Sequence, residues 1–195
     1  MYDTFLKIIN KKGGVITSKD AVNNGISRTM LKKMNDTNYI KRLEYGIYAT
    51  DDFIYDEYYI FQLKHKDSIF SHNTSLYFQE MTERTPSKMD ITVKRSTHLS
   101  SLEDKINLYR VNESILGLGK IQIKTPYNHI VTAYNKERTV CDLINNKSDL
   151  DIELVNKSIR NCIKSKEFNA NEMFEYSKKM KIYEKVKNYM EAILW

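Results

Sequence analysis

Arg28, Thr29, Lys32 and Lys33 stand at positions that an α-helix would gather on one side, and Lys41 and Arg42 follow within ten residues. At about 100° per residue, Ile26, Met30, Leu31 and Met34 fall on the opposite side. Cations on a helix face, flanked by the hydroxyls of Ser27 and Thr29, can hold phosphate oxygens and donate to base edges. A charged helix face is more often plain solvated surface. What distinguishes the two is the surrounding structure.

Other residues invite catalytic readings. In Met89-Asp90-Ile91-Thr92-Val93-Lys94 an aspartate and a lysine resemble the strand of a metal-dependent nuclease. Thr92 stands where a second carboxylate would precede the lysine, and two acidic ligands normally hold the cation that activates water. The reading preferred is a structural strand. His65, His72, His98 and His129 show no paired metal-ligand spacing and read as surface or capping residues. Cys141 and Cys162 are too few for a disulfide framework or a CxxC zinc site, and Val140, Leu143 and Ile144 place Cys141 on an ordinary amphipathic helix. No metal or cofactor is expected, and the chain is not read as an enzyme.

The elements around the basic residues form a recognisable order. Phe5, Ile8 and Ile9 recur at helical spacing over residues 2 to 11, and Gly13-Gly14 stops that helix. Val15-Ile16 reads as a short strand. Thr17 and Asp20 make a capping-box-like start for a helix carrying Ala21 and Val22. Asn23-Asn24-Gly25 turns the chain, Ser27 caps the basic helix, and Tyr39 to Tyr48 form a hairpin around Glu44-Tyr45-Gly46. Helix, strand, helix, turn, helix and hairpin is the order of a winged helix-turn-helix, predicted over residues 1–50.

Charge follows that boundary. Of the net +6, residues 1–50 hold nine Lys/Arg and four Asp/Glu, or +5, leaving +1 for the rest. A local excess of this sign favours a phosphate backbone as partner. Hydrophobic residues at 41% with two prolines and six glycines predict a chain folded throughout. The N-terminal MYDTFLKIINKK lacks a signal-peptide pattern, and no later stretch approaches about 18 apolar residues, so a cytoplasmic protein without membrane segments is expected.

Residues 51–66, with Phe53, Ile54, Tyr58, Phe61 and Leu63 as apolar content, read as a linking helix, and residues 67–195 as an α+β domain. A strand at Ile69-Phe70 and a helix from Ser71 to Met81 come first. Strands follow at Met89 to Lys94, Ile106 to Val111, Ile121 to Thr125 and Asn128 to Tyr134, with Gly117-Leu-Gly119-Lys as a hairpin signal. From Asn135 the pattern is helical, closing with a regular apolar stripe from Tyr183 to Leu194. The fold class is therefore α+β: a winged helix-turn-helix, then a mixed sheet region, then a helical region.

The segments GGVITSKDAVNNGISRTMLKKM, YIKRLEYGIYAT, SHNTSLYFQEMTERTP and YNKERTVCDLI, in that order, resemble the AbiEi antitoxin family of type IV toxin–antitoxin systems. The resemblance spans most of the chain. It implies a winged helix that represses its own operon by binding inverted repeats of double-stranded DNA, and a C-terminal domain that opposes a nucleotidyltransferase-like toxin without a stable complex. Family wings often carry a basic residue before the glycine. Tyr45 stands there in this chain, so Lys41 and Arg42 become the expected backbone contacts. Two rival readings remain: a winged-helix regulator unrelated to any toxin, whose C-terminal domain senses a ligand or partner, and a divergent nuclease using Asp90 and Lys94.

Overall fold

A computed structural model describes residues 2–97, 99, 104–146 and 152–194; His98 lies outside the described residues. The chain is α+β, with ten helices and two sheets among the described residues. It divides into two compact units, Met1–Lys64 and His65–Trp195. Among the described residues no helix is long and apolar enough to cross a membrane.

The first unit begins with α1 (Tyr2–Lys11), which buries Phe5 and Ile9 and ends at two glycines of positive φ. At Gly14 the conformation is needed for close approach as well. Its carbonyl accepts from both the amide and the hydroxyl of Thr50, and an added Cβ would lie 2.9 Å from Thr50 Oγ1. Strand β1 (Val15–Thr17) leads into α2 (Ser18–Asn23), where the Thr17 hydroxyl accepts from the Asp20 amide at 3.0 Å, as the capping pattern predicts. Ala21 is buried, but Val22 is 47% exposed. A helix of six residues presents only one narrow face, and Ala21 occupies it.

Helix α3 (Arg28–Asp36) is followed by β2 (Lys41–Glu44) and β3 (Ile47–Ala49), which form an antiparallel sheet in the order β1-β3-β2. The strand expected from Tyr39 begins two residues later, because Asn38 takes a positive φ and Tyr39 donates back to Met34 O. Phe5, Ile9, Ile16, Ala21, Leu31 and Met34 share one core. Full burial of side chains such as Leu31 and Met34 contributes about 2 kcal/mol each. Helix α4 (Glu57–Lys64), whose first amides donate to buried Asp56, packs Ile60 with Val15, Ile47 and Ala49. Ile54, expected within this apolar segment, is 64% exposed.

The second unit carries a mixed five-stranded sheet. Its strands are β4 (Ile69–Phe70), β5 (Met89–Lys94), β6 (Ile106–Val111), β7 (Lys120–Lys124) and β8 (Ile130–Tyr134), in the order β6-β5-β4-β8-β7. β5 runs parallel to β6 and β4 parallel to β8, while the other pairs are antiparallel. Helix α5 (His72–Phe78) follows β4 directly.

The Gly117–Lys120 stretch corrects one expectation. It is no hairpin: β6 and β7 lie at opposite edges of the sheet, and a short α6 (Glu113–Leu116) precedes the glycines. Gly119 is required because a Cβ there would fall 2.5 Å from both Arg138 Cβ and Asn135 Oδ1. A second correction concerns α7 (Lys136–Asn145), which is not amphipathic, since every residue from Glu137 to Ile144 is buried. Around it lie α8 (Ile152–Lys164), α9 (Ala170–Lys179) and α10 (Tyr183–Leu194), joined in one apolar core that includes Val140, Leu143, Ile159, Met173 and Val186. The stripe on α10 is used here, with Val186 and Met190 buried.

Candidate nucleic-acid interface

Helix α3 owes its start to Ser27, whose hydroxyl accepts from the Met30 amide at 3.1 Å while its backbone stays extended. Its entry is set by Gly25 (φ 79°), and by the Ile26 amide donating to Ala21 O across the turn from α2. Ile26, Leu31 and Met34 are buried, whereas Arg28, Thr29, Lys32 and Lys33 are exposed, as the periodicity predicts. Among the described residues none of these three cations enters an ion pair. Their charges stand open to a ligand.

The hairpin is anchored to the end of that helix. Asn35 Oδ1 accepts from the Arg42 amide at 2.8 Å, which sets the start of β2 beside the last turn of α3. Lys41 and Arg42 are exposed but engaged, a difference from the free cations expected. Lys41 Nζ lies 2.9 Å from Asp51 Oδ1. Arg42 Nε donates to Glu44 O at 3.3 Å, and its guanidinium lies over the Tyr45 ring, 5.1 Å from the centroid. Glu44 is itself paired with Lys64. Tyr45, at the tip, is 88% exposed, and Gly46 takes the positive φ of the turn.

With the first unit ending at Lys64, its charge excess is smaller than that of residues 1–50. Residues 1–64 hold ten Lys/Arg and eight Asp/Glu, or +2, because Asp51, Asp52, Asp56 and Glu57 follow the hairpin. The positive potential of this unit is therefore a matter of arrangement. On α3 it is carried by Arg28, Lys32 and Lys33, while Asp51 pairs with Lys41 of the hairpin and Glu44 with Lys64 of α4.

The nuclease-like pair is not brought together. Asp90 is 1% exposed and its carboxylate is committed to holding structure: Oδ2 accepts from the Asn73 amide at 2.9 Å, and Oδ1 from Asn107 Nδ2 at 2.9 Å and Tyr109 OH at 3.4 Å. It caps α5 from across the sheet, a role Ser71 leaves open. Burial raises its pKa, against the pull of those donors. Lys94, exposed, pairs with Glu113. Among the described residues no three His, Cys, Asp or Glu side chains converge on a metal position. The two cysteines are buried, and desolvation pushes both thiols up to about 12, which leaves them unreactive.

His72 departs from the surface role expected of the histidines. It is buried, stacks on Tyr109 with ring centroids 3.6 Å apart, and places its nitrogens 2.9 Å from Ser71 Oγ and Asn146 Nδ2. Burial, helped by the charge of Arg138, lowers its pKa to about 3. The unfolded chain, with a histidine pKa near 6.5, binds this proton first, so the stability His72 supports is intact above that pH and is lost as pH falls towards 3. Asparagine tolerates the positive φ at this position. In denaturant titrations, the stability difference between the wild type and His72→Asn is expected to shrink by about 1.4 kcal/mol per pH unit between roughly pH 6 and 4. Buried Asp90 and Asp142, whose raised pKa values act in the opposite sense, are common to both proteins and cancel. A pH-independent difference would refute the neutral buried imidazole.

The segment Glu137-Arg138-Thr139-Val140-Cys141-Asp142 is a polar scaffold. Arg138, fully buried, donates from Nε to Asp142 and from Nη1 to the carbonyls of Ile115 (2.6 Å) and Leu118 (3.3 Å), with its guanidinium 4.3 Å from the Tyr134 ring centroid. Glu137 accepts from the Asn169 amide at the start of α9, and Cys141 Sγ lies 3.4 Å from Met173 O. Arg138 and Glu137 thus reach backbone groups at the end of α6 and the start of α9, while Cys141 reaches a carbonyl within α9. Spacing along one helix carries no sign of such distant partners.

The fold and its sites thus define a two-unit α+β protein with an exposed cationic helix in the first unit. No family model matches the chain, and no curated protein matches it. Among solved structures it is similar to the crystal structure of the RV2827C protein from Mycobacterium tuberculosis, at 10% identity and a TM-score of 0.50, with 92% of this chain and 74% of that chain covered. At that identity the likeness is one of fold.

Proposed function

We propose that the first unit is a winged helix-turn-helix that binds double-stranded DNA, with α3 as the recognition helix and the β2–β3 hairpin as the wing. One observation carries this reading: Arg28, Lys32 and Lys33 form an exposed face without ion pairs among the described residues, on a helix whose other face is held in the core. Ser27 and Thr29 add hydrogen-bonding groups at the N-terminal end, the end such helices present to base edges. Lys41 and Arg42 meet the flanking backbone once DNA competes for their exposed partners.

With the family resemblance, this makes the protein an AbiEi-like antitoxin and cytoplasmic autorepressor, without enzymatic activity of its own. Its operator consists of inverted repeats upstream of its gene. The second unit opposes a nucleotidyltransferase-like toxin without a stable complex. The commitment of Asp90 to α5 and the pairing of Lys94 with Glu113 speak against the nuclease alternative.

Binding of the full chain to the DNA upstream of its gene, compared with shuffled sequence at several salt concentrations, tests the first part. Co-expression with the adjacent gene product tests the second. A chain lacking residues 1–64 is the appropriate truncation, because a cut at residue 50 would leave Ile60 without Val15, Ile47 and Ala49. Rescue of growth by that truncated chain is expected. A neighbouring gene unrelated to nucleotidyltransferases, together with specific DNA binding, would favour the plain regulator instead.

A further inference from the structure

Two adjoining cavities of about 260 and 210 Å³ lie in the second unit between the loop from Glu80 to Lys88 and the α8 helix, and they share Thr82, Arg84 and Leu154. Together they reach the lower end of the size range of small-molecule sites, roughly 300–1,000 Å³. Asn161 Nδ2 donates to Met81 O at 3.1 Å and fastens the start of the loop to α8. The groove is thus built by a definite contact.

Its chemistry is uneven along its length. Leu154, Val155 and Pro86 give an apolar wall, and the amides of Asn73 and Asn107 lie at the end nearest Asp90. Arg84, Lys88 and Lys157 bring three exposed cations to the rim, where Glu80 and Glu83 are the opposing carboxylates; a third carboxylate, the buried Asp90, lines the far end and accepts from Asn107 Nδ2. The decisive feature is Ser158. It lines the second cavity, is 1% exposed, and its hydroxyl has no hydrogen-bond partner among the described residues. A buried hydroxyl without a partner costs stability, and structures retain few of them.

We propose that this groove binds a nucleotide: a phosphate group held by Arg84, Lys157 and the Ser158 hydroxyl, with a planar base on the Leu154–Pro86 wall, its edge towards Asn73 and Asn107. The guanidinium fork suits a phosphate's paired oxygens, and the bound phosphate gives Ser158 the acceptor it lacks. Apolar surface with amide groups beside it suits a heteroaromatic base, whose faces are apolar and whose edges carry donors and acceptors. The site belongs wholly to the second unit and is independent of DNA binding by the first.

Calorimetric titration of the full chain with the four ribonucleoside 5′-monophosphates, the matching nucleosides and inorganic phosphate tests this. At least one nucleotide is expected to bind with one site per chain, more tightly than its nucleoside and than inorganic phosphate. Arg84→Ala is expected to weaken that binding about tenfold or more. Ser158→Ala separates a ligand site from a packing defect: it leaves the melting temperature of the ligand-free protein unchanged or raises it, while reducing the nucleotide-induced rise in melting temperature. Lys32→Ala with Lys33→Ala leaves nucleotide binding intact. Absence of binding by every nucleotide at millimolar concentration overturns the proposal. So does equal binding of inorganic phosphate or nucleoside, or binding indifferent to Arg84→Ala and Ser158→Ala, or binding lost in the α3 variant.

Discussion

Replacing Lys32 and Lys33 together with alanine is expected to lower affinity for operator DNA by roughly thirtyfold near physiological salt, and to reduce the slope of log K against log salt by about two units. Each phosphate contact releases condensed counterions, and the slope counts about 0.9 per contact, so both magnitudes follow from one cause. The fold should be unaffected. Both side chains are exposed on α3 without ion pairs among the described residues, while Leu31 and Met34 hold the helix from beneath. Lys41→Ala is expected to change affinity less, because that lysine already spends part of its charge on Asp51. Fluorescence anisotropy over a salt series separates the outcomes. A slope identical to that of the wild type would remove both lysines from the interface.

Asp142→Asn is expected to destabilise the second unit by about 3–5 kcal/mol, the cost of leaving the buried Arg138 guanidinium without its counter-charge. The exchange preserves shape, removes the charge and turns one of the two oxygens that accept from Arg138 Nε into a donor. Arg138 is already short of partners, because its Nη2 has no hydrogen-bond acceptor among the described residues. Its environment therefore cannot absorb the loss. A double replacement, Arg138→Met with Asp142→Leu, removes both charges and should recover part of the stability. It does not recover all of it, since the Ile115 and Leu118 carbonyls then lose their donor. Hydrogen exchange of α7 amides is the suitable measurement, because a chain of two units need not unfold in one step. If Asp142→Asn proved as stable as the wild type, Arg138 would have to be reached by water or another anion.

These two predictions fall on opposite sides of what a reader of the sequence can see. The α3 face was legible because its causes are local. A serine caps its own helix three residues on, apolar residues recur with the helical period, and a glycine before Ile47 turns a hairpin. The strand segments of the second unit were legible for the same reason, from β-branched runs between turn residues. The Glu137–Asp142 scaffold was not. Its polar side chains read as the solvent face of an amphipathic helix, and the groups that make them core, the Ile115, Leu118 and Met173 carbonyls and the Asn169 amide, stand 20 to 32 residues away in sequence.

Gly117 and Gly119 teach the same lesson. A glycine pair between two strands suggests a hairpin, yet Gly119 is a glycine because Asn135 and Arg138 leave no room for a Cβ, and β6 and β7 stand at opposite edges of the sheet. Ser158 is a further case, an ordinary helical serine until its burial beside a cavity left its hydroxyl without a partner among the described residues. The charge count changed meaning when α4 joined the first unit, and Lys41 and Arg42 acquired partners that their spacing did not announce.

By itself, then, the sequence determined most of the elements, their order and the exposed basic face of α3, because caps, turns and periodicities act over a few residues; the short α6 escaped it. Sheet order, the wholly buried α7, the capture of Asp90 beneath α5 and the groove along α8 were decided only by tertiary structure. They depend on which distant backbone and side-chain groups meet, and desolvation at those meetings sets what a carboxylate, an imidazole or a hydroxyl can do.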